Sequence, residues 1–472
     1  MPFYSAADYA ISQWLFLRVL GGIYFLAFFS LWIQLDGLYS SKGLLPITEF
    51  MAFLKRKLGV RPFRVPSLFW LNSSDRFLKW ICLGGIGCSA ALFLDIWSVP
   101  CLLFLWIAYL SFVTAGQDFM AFQWDVLLLE IGFLSIFSGI KIPSSDSFLF
   151  LFWLILFRLM ISSGFCKLMS GDPTWRNLTA LCYHYETQPL PNRVSWYAHQ
   201  LPRWFQKSSA WMLFIFEIGV PFFIFFPDPF RLFSAAGLIG LQVLILLTGN
   251  YCFFNLLTIG LCLLLLPNSV YPEWLSQALH LSSLSSDPSF LNTGIEGLAI
   301  FFIAVNLLQS TRFFVSRVEW LWPSFLSHFH LCNSYGLFAV MTTRRDELII
   351  EGSQDGIHWK EYELRWKPGN LTLPPRQAAP HQPRLDWQFW FAALRPHVLE
   401  DWLRALLIRL FNNESSVLKF FKTNPFSGHP PTYLRVMLYR YHFTDWKTRK
   451  GTGHWWRRTC VQECFFTKNP IG

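Results

Sequence analysis

The 472-residue chain is 53% hydrophobic and 19% aromatic, only 14% of its residues are charged, and its formal net charge is +10. Ordinary soluble domains carry about 25% charged residues, so this composition excludes a wholly water-soluble protein. The basic excess suits anionic headgroups or an acidic partner, and with no nucleic-acid-binding motif present, no nucleic-acid partner is expected.

The charge deficit is uneven. Nearly all long apolar runs lie in residues 1–316, whereas residues 317–472 have a soluble composition with 21 Lys and Arg against 13 Asp and Glu. The expected organisation is therefore a multi-pass transmembrane domain over 1–316 and a soluble C-terminal domain over 317–472. A bilayer core of about 30 Å takes about 20 apolar helical residues. Backbone groups inside lipid must bond within their own segment, which selects helices, and the short alternating segments of a barrel are not seen.

About nine spanning helices are predicted, near 14–34, 79–96, 100–115, 124–139, 147–169, 208–226, 230–248, 251–267 and 293–316. The third and fourth are short. Trp14, Trp97, Trp124, Trp211 and Tyr251 sit at segment ends, as interfacial aromatics do. Neither a basic leader nor a small-residue cleavage site precedes the first run, so no removable signal peptide is expected. Polar loops fall at 36–78, with Lys55, Arg56, Lys57, Arg61 and Arg64, and at 170–207. With nine segments both loops share a side with the C-terminal domain, and the positive-inside rule assigns that side to the cytoplasm.

Beyond 317, short strands are predicted at Tyr335–Met341, Leu348–Glu351 and Trp359–Trp366, with an Asp-Gly turn at 353–356. A Pro-rich loop spans 374–383. Helical spacing returns at Leu385–Leu394 and His397–Phe411, and alternation at Tyr433–Phe443 marks another strand. These elements suggest a β-rich, sandwich-like domain with some helices.

Ionisable groups inside a bilayer are costly unless paired or hydrated. Those here are Arg18, Asp125, Glu130, Arg158, Lys167, Glu217 and Glu296. At about 100° per residue, Arg158 and Lys167 face opposite sides of one helix, and Asp125 and Glu130 diverge by about 140°. Asp125, near a segment end, reaches interfacial water in this reading, while Glu130 needs a cation from Lys167, Arg158 or Arg18. Two readings of Lys167 stay open: a desolvated base or nucleophile, with Glu130 and His184 as catalytic companions, or a side chain snorkelling to the interface.

The stretch Gly164–Trp196 is densest in polar and aromatic groups. Asp172 is placed to cap a short helix from Pro173. Tyr183, His184, Tyr185 and Glu186 form a donor–acceptor cluster that reads as a packed interfacial loop, an acid–base pair or half of a metal site. One His and one carboxylate do not make a metal centre. No metal or cofactor is expected from the motifs. Asn250, in a tight Gly-Asn-Tyr turn, is a candidate for bonding helices together. Ten cysteines occur without a CxxC, which supports neither a zinc nor a thioredoxin-like site. Sequons occur at Asn72, Asn177, Asn370 and Asn413. In the C-terminal domain Trp359, Trp387, Trp390, Trp455 and Trp456 are candidate partner-binding residues, with Trp455-Trp456 beside Arg457-Arg458 the expected exposed pair.

Several long stretches resemble the lipase maturation factor family: GLYSSKGLLP (37–46), FQWDVLLLEIGFLS (122–135), SGDPTWRNLTALCYHYETQPLP within 158–204, LTGNYCFFNLLTIGLCLLLL (247–266), NSYGLFAVMTTRRDELIIEGS (333–353), LDWQFWFAAL (385–394) and NPFSGHPP (424–431). The resemblance implies a multi-pass protein of the ER membrane in animals, with the inner membrane as the bacterial equivalent. It also implies assistance in folding secreted clients such as lipases, contact with those clients through a luminal C-terminal domain, and no catalysis. The luminal placement opposes the positive-inside reading. GFCKLMSGDPTW is similar to the region around the active-site lysine of vitamin K-dependent gamma-carboxylases, which implies Lys167 as a base acting on a lipid, quinone or client side chain. LIIEGSQDGIHWKEYEL is similar to a strand–turn–strand signature of discoidin-like sandwiches.

Overall fold

The computed structural model describes residues 4–58, 64–140, 142–279, 290–312 and 324–469. Each predicted apolar run forms a helix among the described residues, with 313–316 of the ninth run lying outside them: α1 (Ala10–Trp32), α2 (Asp75–Phe93), α3 (Ser98–Ala115), α4 (Gln123–Ser138), α5 (Asp146–Met169), α6 (Arg203–Phe225), α7 (Asp228–Thr248), α8 (Phe254–Leu263) and α9 (Phe290–Arg312). Among the described residues seven helices are long and apolar enough to cross a membrane. The 18-residue α3 is one of them, although its run looked short in sequence. Helices α4 and α8, with 16 and 10 residues, fall short. At 1.5 Å per residue α8 is about 15 Å long, half a bilayer core. It is tolerated because Leu257, Leu261 and Cys262 on it are buried by neighbouring helices, and backbone shielded by protein need not face lipid.

The bundle has two ends. At one, the N-terminal segment meets three inter-helix turns: Ala6 N bonds Asp146 (2.6 Å), the Tyr9 hydroxyl donates to Asp228 (2.6 Å) and Ile11 N donates to Asn268 (3.0 Å). At the other end, the 33–45 stretch, the 116–122 turn, the 170–202 segment and the 249–253 turn all touch the C-terminal part. The expected boundary at 316/317 lies outside the described residues, as does Arg61.

The C-terminal part is a small antiparallel sheet with some helices. Strands β1 (Arg345–Ser353), β2 (Lys360–Tyr362), β3 (Tyr433–Phe443) and β4 (Trp456–Lys468) run in the order β2-β1-β3-β4. Ile350 pairs with Tyr362 on one side and Val436 on the other. Asp355 accepts from the backbone N–H groups of Ile357 and His358, and Gly356 takes φ +77°, as the Asp-Gly turn requires. Leu348, Ile350, Leu434, Val436 and Leu438 share one core with Leu385 and Phe389 of α10 (Arg384–Ala393) and Leu403, Leu406 and Leu410 of α11 (Asp401–Phe411). The layer against the sheet is therefore helical where a sandwich has a second sheet. Tyr335–Met341, predicted as a strand, is turn and irregular chain: Tyr335 and Met341 are drawn away to bond membrane-domain carboxylates. Strand β4 had no counterpart in the sequence reading.

Buried polar joints fasten this part to the bundle. Arg384 forks onto Asp125, Nη1 to Oδ2 and Nη2 to Oδ1 at 2.9 Å each, and Nη1 also donates to the Phe119 carbonyl at 2.5 Å. Asp125 further accepts from the Tyr109 hydroxyl (2.5 Å) and is fully buried, so it does not reach interfacial water. Arg345 donates to the carbonyls of Glu186 (2.9 Å), Gln188 (2.5 Å) and Pro189 (3.0 Å), and to Glu347 (2.6 Å). It satisfies carbonyls left over where the helix Leu181–Thr187 ends. Asn250 uses both ends of its amide, accepting from Ala378 N and Ala379 N and donating to Leu190 O and Arg376 O. Trp387 packs edge-on to Trp124 (centroids 4.9 Å apart) beside these bonds.

Removing one partner of a buried ion pair costs about 3–5 kcal/mol because the other charge is stranded. Asp125→Ala and Arg384→Ala should each lower the melting temperature of the purified protein strongly, while the double variant should lose less than the sum of the two. Additive losses would mean that the pair is not coupled.

Candidate functional site: the Lys167 cavity

Helix α5 carries Arg158 and Lys167 on opposite sides, as their spacing predicted. Arg158 pairs with Glu130 of α4. Glu130 also accepts from the Tyr335 hydroxyl (2.6 Å) and from the backbone and side-chain nitrogens of Asn333 (3.1 Å each). Glu130 is thus enclosed by four donors, and it is not the companion of Lys167.

Lys167 pairs with Glu217 of α6. Its ammonium donates to both carboxylate oxygens at 2.8 Å and to the Ser163 carbonyl at 2.9 Å, and its side chain is buried rather than snorkelling. An ammonium has three N–H donors, so all are used. Two local features allow the approach. The α6 backbone opens into a π-helical turn at Ile215–Gly219, a distortion often found where a helix serves a site. Gly164 on α5 lies under that turn, where a Cβ would meet Ile218 at 2.4 Å and the Glu217 Cβ at 3.2 Å.

The pair forms part of the wall of a cavity of about 920 Å³, within the range of about 300–1,000 Å³ typical of small-molecule sites. Its lining is mostly apolar, including Met160, Met212, Phe216, Leu241 and Phe254. Trp175, His184, Tyr185 and Phe338 line the end nearest the C-terminal part. Gln242 and Asn255 bond each other in the wall at 2.8 Å.

His184 lies in the cavity, not against Glu186. Two residues apart on a helix, their side chains diverge by about 160°. The His184 ring meets the Tyr251 hydroxyl at 3.1 Å, and burial followed by the nearby Lys167 charge pushes its pKa down to about 4. Glu186 points to the C-terminal part, accepting from Phe443 N at 2.7 Å with His442 at 3.0 Å. The acid–base pair and the metal half-site are therefore not assembled. Burial also raises the pKa of Tyr185, while Tyr183 is exposed. Asp172 caps Pro173–Arg176 through Thr174 N (2.7 Å), as predicted, and its second oxygen accepts from Met341 N (2.6 Å).

The tryptophan candidates divide. Trp387, Trp455 and Trp456 are buried. Trp455 packs edge-on to Trp196 (5.3 Å) beneath the Arg449 guanidinium (3.6 Å from the Trp455 centroid), and Trp456 lies against Phe443 (4.3 Å). The expected exposed pair is instead a joint between the 170–202 segment and the sheet, because each ring has an aromatic partner and a cation over or beside it. Trp359 and Trp390 are half-buried. Glu217 was singled out in sequence, but the π-helical turn that brings it to Lys167 leaves no sequence signal.

These features define a multi-pass membrane protein with a docked C-terminal sheet. The model of the lipase maturation factor transmembrane domain matches residues 11–272, and that of the lipase maturation factor C-terminal domain matches residues 331–466. Lipase maturation factor 2 of Gallus gallus is 35% identical, covering 96% of this chain and 80% of the relative. Lipase maturation factor 2 of Homo sapiens is 33% identical over 97% and 82%, and lipase maturation factor 1 of Homo sapiens 29% over 95% and 86%. No solved structure matches the chain. The chain belongs to the lipase maturation factor family.

His184 binds its proton more weakly in the folded protein than in an unfolded chain, where the pKa is about 6.5. Its contribution is therefore neutral above pH 6.5 and destabilising as pH falls from there toward 4. His184→Gln should reduce the acid-induced loss of melting temperature in that window. An unchanged pH profile would contradict the burial assigned to this ring.

Proposed function

We propose that this chain is a membrane-anchored maturation factor that holds folding secreted proteins, such as lipases, at the membrane through its C-terminal part, divided from the membrane part near residues 316/317. The observation that supports it best is β4. Among the described residues this 13-residue strand pairs only with β3, and Val461 and Phe466 on it are 43% and 55% exposed. A long unpaired edge invites an added strand, and strand addition is a general way to hold extended polypeptide. Trp359, with its ring centroid 6.3 Å from that of Phe466 and the Arg435 guanidinium 4.1 Å above it, extends the same surface. Trp390 is a second half-exposed candidate, while Trp387, Trp455 and Trp456 serve as framework.

Orientation belongs to the same reading. All four sequons lie at the end of the bundle that carries the C-terminal part, and Asn72, Asn177 and Asn370 are exposed there. A luminal placement in the ER membrane agrees with this. Expressed in a eukaryotic cell, the protein should lose glycan mass on deglycosylation, and the triple Asn→Gln variant should not. An unglycosylated wild-type protein would favour the cytoplasmic side.

The alternative is a membrane-embedded enzyme of gamma-carboxylase-like type with Lys167 as base. A base needs a free lone pair, and the three donor bonds of Lys167 weigh against it. The lysine's role is separable from the sheet's. Val461→Lys with Phe466→Lys should lower co-purification of a secreted lipase several-fold without lowering the melting temperature. Lys167→Met should leave client secretion near wild type once its effect on protein level is normalised. The reverse pattern would favour the enzyme.

A further inference from the structure

The Lys167 cavity is partly open, and residues of both α6 and α7 line it. Helices α6 and α7 are joined at one end, where Ser234 donates to the Val220 carbonyl (3.1 Å) and Arg231 to the Ile224 carbonyl (2.9 Å). Their other halves line the cavity instead. The lining residues Phe205 and Met212 of α6 and Leu244 of α7 stay exposed, Leu244 at 62%. Both helices are long and apolar enough to cross a membrane, and a mouth between two spanning helices meets hydrocarbon rather than water.

We infer that the cavity takes one acyl chain of a bilayer phospholipid, entering laterally between α6 and α7. The wall is suited to a chain and not to a charged group. The single pair of opposite charges in it, Lys167 with Glu217, is mutually neutralised, and His184 is held neutral by burial. An apolar cavity of about 920 Å³ open to lipid is filled by the medium at its mouth, because hydrocarbon transfer there costs no hydration. Gly240 marks the passage: a Cβ built on it meets nothing within 4 Å. The headgroup stays at the rim, beside Tyr197 of the helix Arg193–His199 and Thr248 at the end of α7. The inference is independent of the client-binding reading, which concerns the sheet.

The test is photolabelling of the full chain in phosphatidylcholine nanodiscs containing a phosphatidylcholine with a diazirine on its acyl chain, followed by mapping of the labelled peptides. Label is expected on cavity residues such as Met160 and Phe338 as well as on the outer belt at Phe230 and Phe233. Gly240→Leu adds a side chain in open space and should reduce cavity labelling several-fold while leaving belt labelling unchanged. Ser209→Phe, from the facing helix, provides a second filling variant if the first is unstable. Label confined to the belt, or cavity labelling unaffected by either folded variant, would overturn the inference. Cavity labelling by diazirine palmitate but not by the phospholipid would also overturn it, since the source would then be a free fatty acid.

Discussion

Two arginines from the C-terminal part, Arg345 and Arg384, determine how the rest of the molecule is arranged. The bundle end they enter holds a fully buried carboxylate, Asp125, and the carbonyls of Glu186, Gln188 and Pro189. Neither group can be left unsatisfied at low dielectric without a cost of several kcal/mol. Guanidinium groups suit both: planar, permanently charged and rich in donors, they fork onto a carboxylate in one case and gather carbonyls in the other. The C-terminal part is therefore not a tethered appendage. It completes the membrane part, and the aromatic packing of Trp387 and Trp455 follows the geometry these bonds impose.

The same demand for neutrality organises the bundle interior. Glu130 is matched by Arg158 and Lys167 by Glu217. Each pair links two helices, and such pairs specify position more than they add net stability. Because Lys167 is neutralised within the wall, the cavity beside it remains apolar despite containing a lysine, a glutamate and a histidine. A cavity of that character suits an apolar chain, and the lysine ammonium in its wall has all three donors engaged by Ser163 and Glu217.

Sequence captured what depends on local periodicity. Apolar runs located the membrane helices, alternation delimited Tyr433–Phe443, and helical spacing set Arg158 and Lys167 on opposite faces. It could not supply partners remote in sequence. Asp125 is 259 residues from Arg384 and Lys167 is 50 from Glu217, and nothing in either neighbourhood names the other. Trp455 and Trp456 sit beside arginines and so read as surface. Their burial depends on Trp196 arriving from the membrane part. Strand β4 was missed because TCVQECFFTK on an exposed edge has neither an apolar face nor a clear alternation. The short α8 was legible as apolar, but its tolerance follows from shielding by neighbours, a property of the assembled bundle.

The central claim is that the membrane and C-terminal parts form one cooperative body. Native-state hydrogen exchange of the full chain in nanodiscs, with increasing denaturant, tests it most directly. Amides of β1, β3 and α10 should open with the same free energy as those of the 181–199 segment, their exchange converging on one common unfolding. A sheet that opens at lower free energy while the 181–199 amides stay protected would show two independent domains and contradict the account.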